Sequence, residues 1–153
     1  MPFHFQGLHR EPFAPLFALS DEELEAKGFR RMVAGAGDTF PCRVSLADVE
    51  PGSEVLLINH EHQPAHSPYR ATGPIFVSRH GARFDGHAVP PALRTRLLSL
   101  RAYDQDGMIV EADAVDGSAV EPVLERLFAR GDTAYVHVHY AKRGCFAALV
   151  ERA

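Results

Sequence analysis

Leu98-Ser-Leu-Arg-Ala-Tyr103, Met108-Ile-Val-Glu-Ala-Asp-Ala114, Val120-Glu-Pro-Val-Leu-Glu-Arg-Leu-Phe128, Thr133-Ala-Tyr-Val-His-Val-His-Tyr140 and Gly144-Cys-Phe-Ala-Ala-Leu-Val-Glu151 follow one another in a single run. The first two read as the arms of a hairpin, because Asp104-Gln-Asp-Gly107 between them ends in an Asp-Gly turn step. In the third, Val120, Val123, Leu124, Leu127 and Phe128 recur at the 3.6-residue spacing of one helix face. Ser118 and Glu121 are placed to cap that helix, Pro122 falls in its first turn, and Gly131 closes it. The last two pieces are a second strand pair. Strand–strand–helix–strand–strand with short turns predicts an α+β fold, a mainly antiparallel β-sheet with two to four short helices packed on it. No internal repeat or linker interrupts the chain, so residues 1–153 read as a single domain.

Upstream, Phe3 to Leu8 reads as a short edge strand, and Ser20-Asp-Glu-Glu23 as a capping box opening a helix that ends at Gly28. Phe29 to Ala34 is a further strand. Ser45 and Asp48 have capping-box spacing and predict a short helical turn before Pro51-Gly52. Val55-Leu-Leu-Ile58 is a continuous apolar run that suits a central strand covered on both faces. It continues into Asn59-His-Glu-His62, and a long loop is expected from there to Gly73, re-entering a strand at Pro74-Ile-Phe-Val77. Pro90-Pro91 opens a short helix ending near Leu97.

Composition narrows the function. With 46% hydrophobic and 24% charged residues the 153-residue chain is globular in type, and a formal charge of −4 argues against a general nucleic-acid binder, which needs a basic surface. No apolar run is long enough to span a bilayer, and Met1-Pro-Phe-His-Phe-Gln6 lacks the basic and apolar regions of a signal peptide, so a cytoplasmic location is expected. Cys42 and Cys145 form no C-x-x-C unit and read as free thiols. Gly35 and Gly37 lack the third glycine of a dinucleotide fingerprint. Of nine histidines, His4, His9, His66, His80 and His87 sit in stretches without a partner pattern and read as surface residues.

His137 and His139 are different. Strand alternation puts Val136, Val138 and Tyr140 on one face and Tyr135, His137 and His139 on the other, the two imidazoles about 7 Å apart. A three-residue loop with Gly144 left-handed would pair Ala141 with Cys145 and bring the thiol onto the histidine face; a two-residue loop would put it opposite Tyr140. Three chemistries fit this face: a polar network bonded within itself, a binding or catalytic pocket, and a metal site built on His-x-His, to which the second His-x-His of His60 and His62 and either Glu61 or Cys145 could contribute. A thiol beside an imidazole could also act as a nucleophile, although no cysteine-protease signature surrounds either cysteine.

Pro41-Cys-Arg43, Ser67-Pro-Tyr-Arg70, Gly73-Pro-Ile-Phe-Val77, Arg101-Ala-Tyr-Asp104 with Gly107-Met108, and His137-Val-His139 with Ala141 and Gly144-Cys-Phe146 together resemble the bacterial "domain of unknown function 1203" family. The resemblance covers most of the chain and brings no activity with it. It implies that the second histidine, the Gly-Cys step and the Ser-Pro-Tyr loop belong to the family pattern. Asn59-His-Glu-His62 matches it less well, which weighs against a four-histidine metal centre.

The expectation is therefore a pocket for a small anionic molecule, with His137, His139 and Cys145 as candidate catalytic groups. Arg101, Ser67, Tyr69, Arg70, Cys42 and Arg43 are the candidate ligand-binding residues. The loop from Ser67 to Gly73 would cover the histidine face, Arg101 or Arg70 would hold the anionic group, and no cofactor or metal ligand set is assigned. The alternatives are a non-catalytic structural or interaction domain, with its apolar surface paired in a homodimer, and a metal-binding protein using His-x-His.

Overall fold

Alternation along the last two strand pairs builds the main sheet. In the computed structural model, which describes residues 3–153, β1 (Phe3–Gln6) is followed by α1 (Asp21–Ala26), β2 (Arg30–Val33), β3 (Glu54–Gln63), β4 (Ala71–Ser78) and β5 (Asp85–Gly86). Then come α2 (Pro91–Arg94), β6 (Leu97–Tyr103), β7 (Ile109–Asp116), α3 (Val120–Ala129), β8 (Tyr135–Tyr140) and β9 (Phe146–Arg152). A six-stranded sheet has the order β5-β1-β9-β8-β6-β7 and a three-stranded sheet the order β2-β3-β4. Every strand pairing is antiparallel. The fold is α+β.

The apolar face of the large sheet carries Leu98, Leu100, Ala102, Val136, Val138 and Val150, and α3 lays Val120, Leu124, Leu127 and Phe128 on it. Burying each of the large side chains stabilises the domain by about 1.5–3 kcal/mol. A second apolar cluster forms where Leu56, Ile58, Ile75 and Val77 of the small sheet meet Phe13, Phe17 and Leu24. Ser20 caps α1 as its spacing predicts, accepting from the Glu23 amide at 3.1 Å while Glu23 reaches back to the Ser20 amide. Gly28 takes the left-handed conformation that ends the helix.

Four local expectations are corrected. β1 is not the edge: it lies between β9 and the two-residue β5. The Ser45–Asp48 segment makes one i to i−4 bond, Leu46 to Cys42, and goes no further, because Leu46 turns to a φ of 54° and Pro41 bridges Asp48. α3 is preceded by a 3-10 turn over Gly117–Ala119, capped by Asp116 on the Ser118 amide; Glu121 instead forms a two-point ion pair with Arg94. Finally, β3 runs on to Gln63 and β4 starts at Ala71, so the long loop shrinks to residues 64–70. The extra strand length is what carries His62 into the interior.

Candidate functional site

The face of the large sheet opposite α3 is not solvated. Across β6 and β8, Arg101 pairs with His137, Ser99 with His139 and Tyr103 with Tyr135, so Arg101 and both imidazoles project to the same side. The end of β3 lies against them. His62 sits edge-on to His139 with ring centroids 5.1 Å apart and to His137 at 6.3 Å; His137 and His139 are 6.5 Å apart. Phe146 of β9, paired with His139, stacks on His62 at 5.4 Å. Tyr103 and Tyr135 stack on each other and flank His137.

The cluster is nearly sealed: His137 is 5% exposed and His139 1%. Burial, reinforced by the neighbouring imidazoles and Arg101, pushes His137 down to about 3; burial also pushes His139 down to about 4, with Arg101 and His62 adding to it. His62 is lowered for the same leading reason. All three are therefore neutral near pH 7. His139 donates from Nδ1 to the Gly144 carbonyl at 3.0 Å, which leaves Nε2 as a bare lone pair. That Nε2, His137 Nδ1 and His62 Nδ1 are all buried without a hydrogen-bond partner. Such an orphan costs about 1–3 kcal/mol, so three in one place are unfavourable as far as the protein's own groups are concerned. Arg101 has no carboxylate within ion-pair distance among the described residues. A cation facing neutral nitrogens, with no anion to balance it, suits a negatively charged guest.

Residues 64–70 are fastened at the Tyr103 end of this face. Ser67 Oγ donates to the Gly107 carbonyl at 2.9 Å and accepts from the Tyr69 amide. Gln63 Nε2 donates to the Tyr135 hydroxyl at 3.1 Å, and the Tyr69 ring sits edge-on to Tyr103 at 6.2 Å. Ser67 thus tethers the loop, and Tyr69 packs against Tyr103. Arg70 lies outside the cluster, bonded to Glu61 at 3.0 Å on the exposed side.

Cys145 is not on the histidine face. Gly144 is left-handed at φ 81°, but the turn has four residues: the Gly144 amide bonds to the Tyr140 carbonyl at 2.7 Å and the Tyr140 amide to the Cys145 carbonyl at 2.9 Å. With Tyr140 paired to Cys145, Phe146 falls opposite His139, and a bulge between Val138 and His139 then shifts the register so that Val138 pairs with Ala148. The thiol packs on the Tyr140 side and accepts from Arg43 Nη2 at 3.2 Å. The expected shared face of Cys145 and the histidines is overturned by one turn residue. Cys42 is also away from the cluster, fully buried in the small-sheet core with Ser78 Oγ donating to its sulfur at 3.1 Å.

The histidines divide in the same way. His60 packs edge-on against Phe13 at 5.7 Å, apart from the His62 cluster. The described residues hold no group of three His, Cys, Asp or Glu side chains placed for a metal ion. Sequence reasoning underweighted His62 and missed Phe146, Tyr103 and Gln63. The only signal for His62 was its place two residues after His60 on an extending strand, and the bulge between Glu61 and Gln63 that redirects the strand has no residue signature.

What emerges is an α+β protein of two antiparallel sheets, with an imidazole–guanidinium cluster between them whose His137 and His139 are buried. The chain belongs to the family described as "Protein of unknown function (DUF1203)", whose profile matches residues 39–152. That span includes every residue of the cluster. No curated protein and no solved structure matches the chain. Among the described residues no helix is long and apolar enough to cross a membrane.

Proposed function

We propose that the protein binds a small anionic molecule between Arg101 and the imidazoles of His62, His137 and His139, with residues 64–70 closing over it. The observation that carries this reading is the coincidence of three buried, unbonded imidazole nitrogens with an arginine that faces no carboxylate. Stability alone gives no reason to keep such a set. The hydrogen-bond inventory names the guest. Arg101 offers charge, His62 and His137 can donate through Nδ1 as neutral tautomers, and His139 Nε2 can only accept. An oxyanion that keeps one hydrogen satisfies all four, as in monohydrogen phosphate or a 2-hydroxy carboxylate. In a catalytic version His139 would take that hydrogen as a general base, with Arg101 holding the resulting charge.

A second reading has its own support: the near-complete closure of His137 and His139 suits a polar network that serves only the fold. Calorimetric titration with glycolate and with lactate separates the two. Saturable binding that is lost in Arg101→Met and in His139→Ala, with circular dichroism unchanged, supports the pocket. Binding by neither anion, or equal binding in both variants, would leave the structural network as the answer.

A further inference from the structure

A separate cleft lies on the other side of the final hairpin. Its volume is about 520 Å³, and it is lined in part by Phe40, Arg43, Phe76, Tyr140, Lys142 and Arg143, with Arg96 and Cys145 also on its wall. From this cleft we infer a second binding site, for a phosphate monoester that carries an aromatic ring. Its lining shares no residue with His62, Arg101, His137 or His139.

Arg43 and Tyr140 form the buried part of the site. Arg43 is 1% exposed, and its guanidinium donates to the carbonyls of Phe146 and Pro41 and to the Cys145 sulfur, with no carboxylate in reach. A guanidinium has five N–H groups, so two are left to offer, together with an unbalanced charge. Its carbon lies 4.9 Å from the centre of the Tyr140 ring, and Arg96 lies 5.2 Å from the same ring. Tyr140 is 6% exposed and its hydroxyl is buried without a partner. Burial pushes that phenol up to about 12, so it stays protonated and is a donor in search of an acceptor. Both residues line the same cleft, so two buried donors lie beside one opening.

The rest of the lining sets the charge and shape of the guest. Lys142 and Arg143, in the hairpin turn, form no ion pair among the described residues. Arg96 is already matched by Asp48 at 2.7 Å. Asp38, the one carboxylate in the lining, is bonded to the Gly35 amide in its own turn. Arg43, Lys142 and Arg143 against the charge of Asp38 leave the lining at about +2, more than a monoanion can balance, whereas a phosphate monoester carries about −1.5 to −2 near neutrality. One wall is the stacked pair Phe40 and Phe76, with centroids 4.5 Å apart and planes at 14°, both half-buried. A planar ring can add to that stack while its phosphate reaches Arg43 and Tyr140. The cleft is also within the size range of small-molecule sites.

Calorimetric titration of the whole protein with phenyl phosphate, inorganic phosphate and benzoate tests the site. Phenyl phosphate is expected to bind with one-to-one stoichiometry and more tightly than either fragment. Lys142→Ala combined with Arg143→Ala, in an exposed turn, and Tyr140→Phe should each weaken it about tenfold. Arg101→Met should leave it unchanged, which keeps this outcome distinct from the first site. Location has its own readout: Cys42 is fully buried, so alkylation by iodoacetamide reports Cys145, and phenyl phosphate should slow it. The inference is overturned if phenyl phosphate fails to saturate the wild-type protein. It is equally overturned if both sets of variants bind as wild type, or if Cys145 reacts at the same rate with and without ligand.

Discussion

Arg43 Nε donates to the carbonyl of Phe146 at 2.7 Å across 103 residues of chain. With the bonds to Pro41 and Cys145, one buried guanidinium joins the Pro-Cys-Arg segment to the Gly-Cys-Phe segment. These are two of the short motifs on which the resemblance to the family rests, and the bond joins them in space. Arg43→Ala should lower unfolding stability by about 3–5 kcal/mol, since it leaves two carbonyls unbonded and a side-chain-sized hole. Arg43→Lys should recover less than half of that loss, because an ammonium cannot span three separated acceptors. Urea unfolding of the three proteins measures both values, and full recovery by lysine would show that only the charge matters.

That bond also marks what the sequence could and could not disclose. The strands at Leu98–Tyr103 and Tyr135–Tyr140, the α3 stripe and the Ser20 cap were legible because each is a local pattern of period or spacing. The partition of β8 into an apolar face and a His137–His139 face was legible for the same reason. The company kept by those histidines was not. His62 arrives from a different sheet, and Cys145 leaves the cluster because the turn holds four residues rather than three. Gly144 is left-handed in either turn, so its identity could not choose between them. Register and sheet packing are set by contacts between distant segments, and these leave no spacing to read.

Gly117 and Gly131 should respond in opposite ways to the same substitution. A Cβ at Gly117 would collide with the carbonyl of Leu93, where the chain entering α3 passes over α2, whereas a Cβ at Gly131 meets nothing. Neither glycine has a positive φ, so space decides. Gly117→Ala should destabilise by more than about 2 kcal/mol, because backbone must move on both sides. Gly131→Ala should be neutral or stabilising by a few tenths up to about 1 kcal/mol, through the unfolded chain. Paired thermal melts check this, and similar shifts in the two variants would contradict the close approach.

Arg101→Met separates a binding residue from a structural one by the sign of its effect. Its guanidinium is half-buried, faces no carboxylate, and opposes protonation of His62, His137 and His139. If it is kept for a guest, replacing it with an apolar side chain of similar length should raise the melting temperature by a few degrees in the absence of ligand. A fall of several degrees would assign Arg101 to the fold instead.

The histidine cluster also predicts how stability depends on pH. His137 and His139 titrate at about 3 and about 4 in the folded protein, against about 6.5 in an unfolded chain. The fold holds them neutral, so between these values the unfolded chain binds the extra protons. Their destabilising effect is absent above pH 6.5 and grows as pH falls towards 4, each contributing roughly one kcal/mol per pH unit. Urea midpoints should therefore fall steeply across that interval, and His137→Phe should flatten the slope while Ser20→Ala, a cap change remote from the cluster, should shift the curve without bending it. An anion bound at Arg101 would partly offset the loss by favouring the protonated rings. Equal slopes for wild type and His137→Phe would mean that other groups drive the acid transition, and would remove the cluster from the account of stability.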